Sequence, residues 1–326
     1  IGSNSFSGSN FVNYLLKEGH QVFGTSRSEE PEEVFLPYKW SEEKILKNFK
    51  YSKFDLNNQL DQIIELSKEQ EVEYVVNFAA QGMVAESWKS PQDWYQTNVV
   101  AQVKLHDNLR KLKSLKRYVH VSTPEAYGST DSGWLKENYN FLPSTPYAVS
   151  RAACDLHLLS FYKAYDFPVI FTRAANVYGP GQQLYRIIPR TLLFSRLHKK
   201  LKLHGGGHSV RSFIHIDDVV DATLKIALEG RIGETYHIST NDTISIRDLV
   251  SKLVRLTGDN FESLVEETED RMGKDQSYLL DSSKLRTELL WEDKIPLGEG
   301  LKETLSWLDK NIECLKTLPS DYSHKK

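Results

Sequence analysis

Two cysteines in 326 residues, Cys154 and Cys314, are too few for a disulfide framework or a cysteine-based metal site, and they point to a reducing, cytoplasmic setting. No apolar run approaches the roughly 20 residues of a membrane-spanning helix, which excludes an anchor of that kind. Net charge is nearly absent as well: 41 Lys and Arg against 44 Asp and Glu leave −3. A chain this neutral has no general attraction to nucleic acid or to a membrane surface, so an anionic ligand must be held by individually placed cations. Internal repeats and low-complexity tracts are missing too, and only residues 320–326 read as a disordered end. The sequence opens at Ile1 on what already reads as a strand-to-loop junction, so a first strand is expected upstream of it.

What remains is an ordinary enzyme composition, 40% apolar and 26% charged, on a chain long enough for a large core. Runs at 21–24, 74–78, 118–121 and 169–172 have the unbroken apolar character of strands buried on both faces. Helical patterns separate them at 11–17, 59–69, 92–112 and 146–165. This alternation predicts an α/β fold, a parallel sheet with helices on both faces. Beyond about residue 176 the alternation breaks and Gly, Pro and Arg cluster. That predicts a first domain over 1–175 and a smaller α/β substrate-binding domain over 176–326, with segments near 211–240 packing back on the first. His204 and His208 flank three glycines without neighbouring Cys or paired acids, so a flexible loop is expected there and no metal.

Two stretches carry chemistry. Ser122-Thr123-Pro124-Glu125-Ala126-Tyr127-Gly128 follows one strand, and Tyr147-Ala148-Val149-Ser150-Arg151 opens a helix. Thr145 can cap that helix while Pro146 takes its first position, where the missing N–H costs nothing. Tyr147 and Arg151 then lie one turn apart on the same face. A Thr and a carboxylate at a strand end, facing a Tyr and a cation at a helix start, make an acid–base set. A free Tyr has a pKa near 10, so it needs a fixed cation to act near neutral pH.

These motifs resemble the extended short-chain dehydrogenase/reductase family, the NAD-dependent epimerases and dehydratases, and most closely its nucleotide-sugar 4,6-dehydratases acting on dTDP-glucose and GDP-mannose. The resemblance covers nearly the whole chain. It implies a Rossmann-type doubly wound sheet, a tightly bound NADP or NAD, a nucleotide-diphosphate sugar as substrate, and a homodimer built on the 92–112 and 146–165 helices. It also implies that Tyr147 is the base for the sugar C4 hydroxyl, that Thr123 orients this oxygen, that Glu125 removes the C5 proton, and that Arg151 is the cation serving Tyr147. The loop Gly2-Ser3-Asn4-Ser5-Phe6-Ser7-Gly8 resembles the family's GxxGxxG dinucleotide loop, with Ser5 at the middle glycine. Such a loop offers a pyrophosphate its backbone N–H groups and a helix N-terminus. Gly2, Ser5, Phe6 and Gly8 are therefore cofactor candidates, joined by Asp55-Leu56 on the adenine side, Ala79-Ala80 on the nicotinamide side, and Tyr147 and Arg151. In Gly24-Thr25-Ser26-Arg27-Ser28 an arginine stands where NAD enzymes place an acid for the ribose hydroxyls. Arg27 suits a 2′-phosphate, as in the GDP-mannose dehydratases, and favours NADP.

Three positions depart from the family. Arg151 replaces its Lys, Met83 replaces a His, and Pro124 stands where an Asp or Ser would serve the departing C6 hydroxyl. Because Pro124 has no proton to give, an epimerase or a uronate decarboxylase of the same family is the alternative. Ser5, Pro124 and Arg151 together also raise a non-catalytic dinucleotide- or sugar-binding relative, against which the retention of Glu125 and Tyr147 speaks. For the substrate, Asn176, Arg211 and Arg271 resemble the family's diphosphate contacts, with Arg186 and Lys274 as further candidates. Two guanidinium forks from separate segments would make a bidentate clamp.

Overall fold

The computed structural model describes residues 1–129, 133–269 and 279–325. The strands that matter below are β1 (Val22–Ser26), β2 (Phe49–Lys53), β3 (Tyr74–Asn77), β4 (Arg117–Val121), β5 (Val169–Ala174), β6 (Asn176–Tyr178), β7 (Leu201–His204), β8 (Phe213–His215), β9 (Thr235–Ile238) and β10 (Val265–Thr268). The helices that matter below are α1 (Phe6–Lys17), α2 (Leu60–Glu69), α3 (Pro91–Tyr95), α4 (Ala101–Leu109), α5 (Pro146–Tyr165), α6 (Ile187–Arg196), α7 (Ile216–Glu229), α8 (Ile246–Thr257) and α9 (Leu297–Lys310). None of the helices among the described residues is long and apolar enough to cross a membrane.

Strands β9, β5, β4 and β3 lie side by side, all parallel, with Val119 opposite both Val76 and Ile170. The parallel pair β1 and β2 joins this sheet through the first two residues. Ile1 donates its amine to the Val76 carbonyl at 2.8 Å and accepts from the Phe78 N–H at 2.9 Å, while the Gly2 N–H reaches the Thr25 carbonyl at 2.7 Å. Ile63, Leu105, Leu158 and Phe171 form one buried layer from α2, α4, α5 and β5. Phe11, Val220, Ile226 and Ile214 form another, from α1, α7 and β8. A third core gathers Leu192, Leu249, Leu253, Leu301 and Leu308 from α6, α8 and α9, beside the parallel pairs β6–β8 and β7–β10.

Local chemistry explains where the elements depart from the pattern in the sequence. Helix α1 starts at Phe6 and not at 11, because the Ser5 hydroxyl accepts from the Gly8 N–H and caps it. The expected 92–112 helix is two helices, α3 and α4, joined by a π turn over Gln96–Val100. The glycines after β7 form a 3₁₀ turn with φ of +56°, +62° and +73°, and a Cβ on Gly207 would lie 2.9 Å from the Arg247 nitrogen. A defined left-handed turn, not a flexible loop, is what those glycines serve.

A buried ionic centre pins α5 to the sheet. Asp155, wholly buried, accepts from Arg173 of β5 at 2.7 Å and from the Ser122 hydroxyl at 2.6 Å, with His120 of β4 at 3.3 Å. Arg173 also donates to the Tyr127 hydroxyl at 2.9 Å, which is 2.8 Å from His237 Nε2 of β9. Burial pushes the Asp155 carboxyl up, but the Arg173 charge, the His120 contact and Arg151 outweigh this and hold it well below the usual carboxylate range. Its stabilising charge is thus present above the ordinary carboxylate pKa of about 3.9 and is lost as pH falls through the lower folded value. Asp155→Ala strands the buried Arg173 guanidinium and should cost about 3–5 kcal/mol, read as a lower urea midpoint. The double variant Asp155→Leu/Arg173→Met should lose less than the single one.

Candidate active site

The acid–base residues meet at the carboxyl end of β4. Thr123 accepts from the Glu125 N–H and caps a 3₁₀ turn over Pro124–Tyr127, and its hydroxyl donates to the Glu125 carboxylate. Pro124 is the first residue of that turn, so its fixed φ and absent N–H suit the backbone there. Facing it is the start of α5, where Thr145 accepts from the Ala148 N–H at 3.2 Å and Pro146 leads the first turn, as expected. Tyr147 is thereby buried with its phenol under the influence of Thr123 and of the charge of Glu125.

Electrostatics at Tyr147 run opposite to the expectation that a cation dominates. Burial, and after it the Glu125 charge, push the phenol up to about 12, while Arg151, Thr123 and Arg186 pull it down without prevailing. Arg151 shares the helix face of Tyr147 but is only 2% exposed, and its guanidinium turns into the sheet. There it donates to the Val121 carbonyl and meets His120 Nε2 at 3.2 Å. The longer, planar side chain reaches past the phenol to a backbone acceptor, where a compact ammonium would stop short.

Around α1 the loop residues fit a dinucleotide. Gly2 has φ +83°, and a Cβ there would lie 2.8 Å from the Ala79 nitrogen; one on Gly8 would lie 2.2 Å from the Gly2 carbonyl oxygen. The Ser5 hydroxyl donates to that same carbonyl at 2.7 Å, so it braces the loop from within. The buried Ser3 and Thr25 hydroxyls beside the loop have no hydrogen-bond partner among the described residues. Arg27 follows β1 directly and donates to the side-chain oxygen of Gln81, Oε1, at 3.4 Å. Other candidates are already engaged: Phe6 packs its ring in the core, Leu56 is buried in another cluster, and Asp55 closes a turn through the Asn57 N–H and the Asn58 amide. Ala79 accepts from Gln102 at 3.1 Å and Ala80 is exposed.

On the other side of the cleft, Asn176 on β6 donates to the Ser212 carbonyl at 3.2 Å, and the mostly buried Arg211 donates to the Val210 carbonyl at 2.8 Å. Arg186 is exposed at the start of α6, close enough for its charge to act on Tyr147. Arg271 and Lys274 lie outside the described residues. For a metal, the donors of His106, His120 and Cys154 lie within 4.8 Å of one another. Burial depresses both imidazoles and pushes the thiol up to about 12, and the Arg151 charge bears on all three, so this cluster suits neutral packing better than a cation.

Sequence reasoning missed Asn98. Wholly buried in the π turn, it donates to the Gln81 carbonyl and to the Ser150 hydroxyl at 3.0 Å each and accepts from the Gln81 N–H at 2.8 Å. It thus ties the loop after β3 to α5; the only signal was an Asn inside an apparent helix, where that residue is a poor former. Also missed was the chain end, which follows an irregular path yet is held by side chains. His324 stacks on Trp94 at 4.9 Å and meets Asp93 at 2.8 Å, and the Lys325 carbonyl accepts from Arg27 at 3.1 Å and from Gln81 at 2.6 Å.

Comparison with known proteins bears on this geometry. Residues 1–304 match the family described as GDP-mannose 4,6 dehydratase. A trifunctional UDP-glucose 4,6-dehydratase/UDP-4-keto-6-deoxy-D-glucose 3,5-epimerase/UDP-4-keto-L-rhamnose-reductase of Arabidopsis thaliana is 32% identical over 269 residues, 82% of this chain and 40% of that protein. The chain therefore spans well under half the length of that relative. A dTDP-glucose 4,6-dehydratase of Streptomyces antibioticus is 35% identical over 254 residues, 77% of this chain and 75% of its own. Among solved structures, dTDP-glucose 4,6-dehydratase from Streptomyces venezuelae with NAD and TYD bound superposes with a TM-score of 0.86 at 28% identity, over 96% of each chain.

One substitution tests the loop by itself. With a backbone carbonyl 2.2 Å from the added carbon, Gly8→Ala forces Gly2 and the start of α1 apart and should cost about 1–3 kcal/mol in urea unfolding.

Proposed function

This chain belongs to the GDP-mannose 4,6 dehydratase family, of the nucleotide-sugar 4,6-dehydratase type, and from that premise we propose that it oxidises a nucleotide sugar at C4, removes water across C5 and C6, and reduces C6. The observation that carries this reading is the convergence of Thr123, Glu125 and Tyr147 at the end of β4. When bound, NADP or NAD would supply the hydride acceptor at C4 and the hydride donor at C6. Thr123 holds the C4 oxygen and Tyr147 takes its proton as the phenolate, the form that the positive charge of an oxidised nicotinamide, when bound, would favour against burial and Glu125. The resulting ketone acidifies C5–H, and Glu125, half-buried beside the phenol, takes that proton. Pro124 has none to give, so we assign to the departing C6 oxygen the proton that Glu125 has just taken, and it leaves as water; once hydride has returned to C6, C5 takes a proton from solvent by way of Glu125. Asn176, Arg186 and Arg211 hold the sugar diphosphate, with Arg271 beyond the described residues.

Residues 1–175 in this reading carry the dinucleotide and 176–326 the substrate. Gly2, Ser5 and Gly8 receive the pyrophosphate, Phe6 offers only its backbone, and Arg27 selects NADP over NAD. Exposed Tyr95, Val100, Val149 and Leu156 on the α3 to α5 surface support a homodimer, and the cysteine usage supports a cytoplasmic setting. Pro124 favours one rival, an epimerase or decarboxylase that retains water. Incubation with dTDP-, UDP- and GDP-hexoses and mass spectrometry of the products separates the two: a 4-keto-6-deoxy sugar, 18 Da lighter, supports dehydration, and an isobaric epimer overturns it.

Two variants probe the roles. In Glu125→Gln the amide cannot take a proton, so C5 deuterium exchange should vanish while reduced cofactor accumulates with substrate bound; exchange at the unaltered rate would assign the base elsewhere. Arg27→Ala should lower the ratio of NADP to NAD affinity by about tenfold or more, since a charge-assisted contact contributes about 1.5–3 kcal/mol. An unchanged ratio would take cofactor choice away from Arg27.

A further inference from the structure

One nitrogen beneath the active site has two claimants. Nε2 of His120, on a wholly buried ring of β4, stands 3.2 Å from a terminal nitrogen of Arg151 and 3.3 Å from Asp155 Oδ1. It can serve only one of them. An imidazole kept neutral by burial carries a single N–H and a single lone pair, so Nε2 either accepts from the guanidinium or donates to the carboxylate. The Arg151 N–H points at Nε2, whereas Asp155 Oδ1 has no hydrogen-bond partner among the described residues. The lone pair therefore faces Arg151, and the proton sits on Nδ1, which is likewise without an acceptor among the described residues.

Both partners of Arg151 are then uncharged, this imidazole and the Val121 carbonyl. Asp155 has its charge met by Arg173 and makes no ion pair with Arg151. We propose that His120 is a positioning residue for the acid–base step: its Nε2 lone pair seats the Arg151 guanidinium apart from Asp155, so that the charge stays with Tyr147; this rests on the reading of Tyr147 as base given above. Without the imidazole nothing holds the arginine off the unpartnered Asp155 oxygen, and the pair that formed would draw the charge away from the phenol. His106 of α4, Cys154 of α5 and Arg173 of β5 also face the ring, and burial keeps the first two uncharged. At the phenol, Glu125 of the 3₁₀ turn and Arg186 at the start of α6 act besides Arg151.

Side-chain nitrogen NMR of histidine-labelled protein reads the tautomer directly, with His120→Gln to assign the ring. Nε2 should carry no proton in the unaltered protein and should gain one, shared with Asp155, in Arg151→Ala. A protonated Nε2 in the unaltered protein would overturn the proposal. Kinetics with dTDP-glucose as probe test the consequence. His120→Leu should lower kcat/KM about tenfold at neutral pH and move the rising limb of its pH profile up by about one unit, because the base must be deprotonated and one pKa unit is a factor of about ten. His120→Gln should restore most of the rate and the midpoint, since its carbonyl oxygen reaches the place of Nε2. Loss of rate in His120→Leu with an unmoved midpoint would make the ring a packing element and would equally overturn the proposal. Turnover of no dTDP-, UDP- or GDP-hexose by any form, with Nε2 still unprotonated, would overturn the dehydratase reading and leave the seat of Arg151 standing.

Discussion

Asp155 cannot reach water, and neither can Arg173, so each depends on the other for its charge. Such a pair contributes little net stability, because desolvating both ions nearly cancels their attraction. Its effect here is positional. His120 of β4, Ser122 just after that strand and Arg173 of β5 meet on one residue of α5, and Tyr127 of the 3₁₀ turn and, through it, His237 of β9 join the network at Arg173. Two helical turns before Asp155 stands Tyr147, so the distance from the phenol to Thr123 and Glu125 is set by contacts that no ligand touches. Side chains held in this way keep their mutual geometry without a ligand to order them.

That rigidity sets the electrostatic problem at the phenol. Burial and a carboxylate neighbour both favour the protonated form, and Arg151 acts from beneath, committed to a backbone carbonyl of β4. A lysine would deliver its charge to the mouth of the site, whereas this arginine delivers it through the sheet. Ser5 has a parallel effect in the glycine loop, since its hydroxyl takes up the Gly8 N–H at 3.1 Å. One helix-end donor is thereby satisfied inside the protein.

Much of this was legible in the sequence. Apolar runs marked β3, β4 and β5 within a residue or two, Thr145-Pro146 marked the start of α5, and the i,i+4 spacing put Tyr147 and Arg151 on one face. Period and capping chemistry are local, so a single chain reveals them. The direction of the Arg151 side chain, the net balance at Tyr147 and the course of residues 320–325 were not legible, because each depends on partners far away in sequence. Val121 and His120 decide the first, Glu125 and the depth of burial the second, and Arg27, Gln81 and Trp94 the third. Asn98 fell between the two kinds: the residue was visible, but the helix around it was read as regular.

The turn that holds Asn98 has a further consequence. A π turn is an α-helix carrying one extra residue, tolerated because the backbone on either side resumes its ordinary hydrogen bonding. Deleting one position within Gln96–Val100 would therefore leave a smooth rod, and nothing in the hydrophobic pattern would announce a fault. Because the wider turn absorbs the extra residue, the helix on either side would keep its facing, while the bulge that places Asn98 against Gln81 and Ser150 would close. The chain thus carries a reading frame in three dimensions at this point: one residue more or less keeps the helix and loses the link between the loop after β3 and α5.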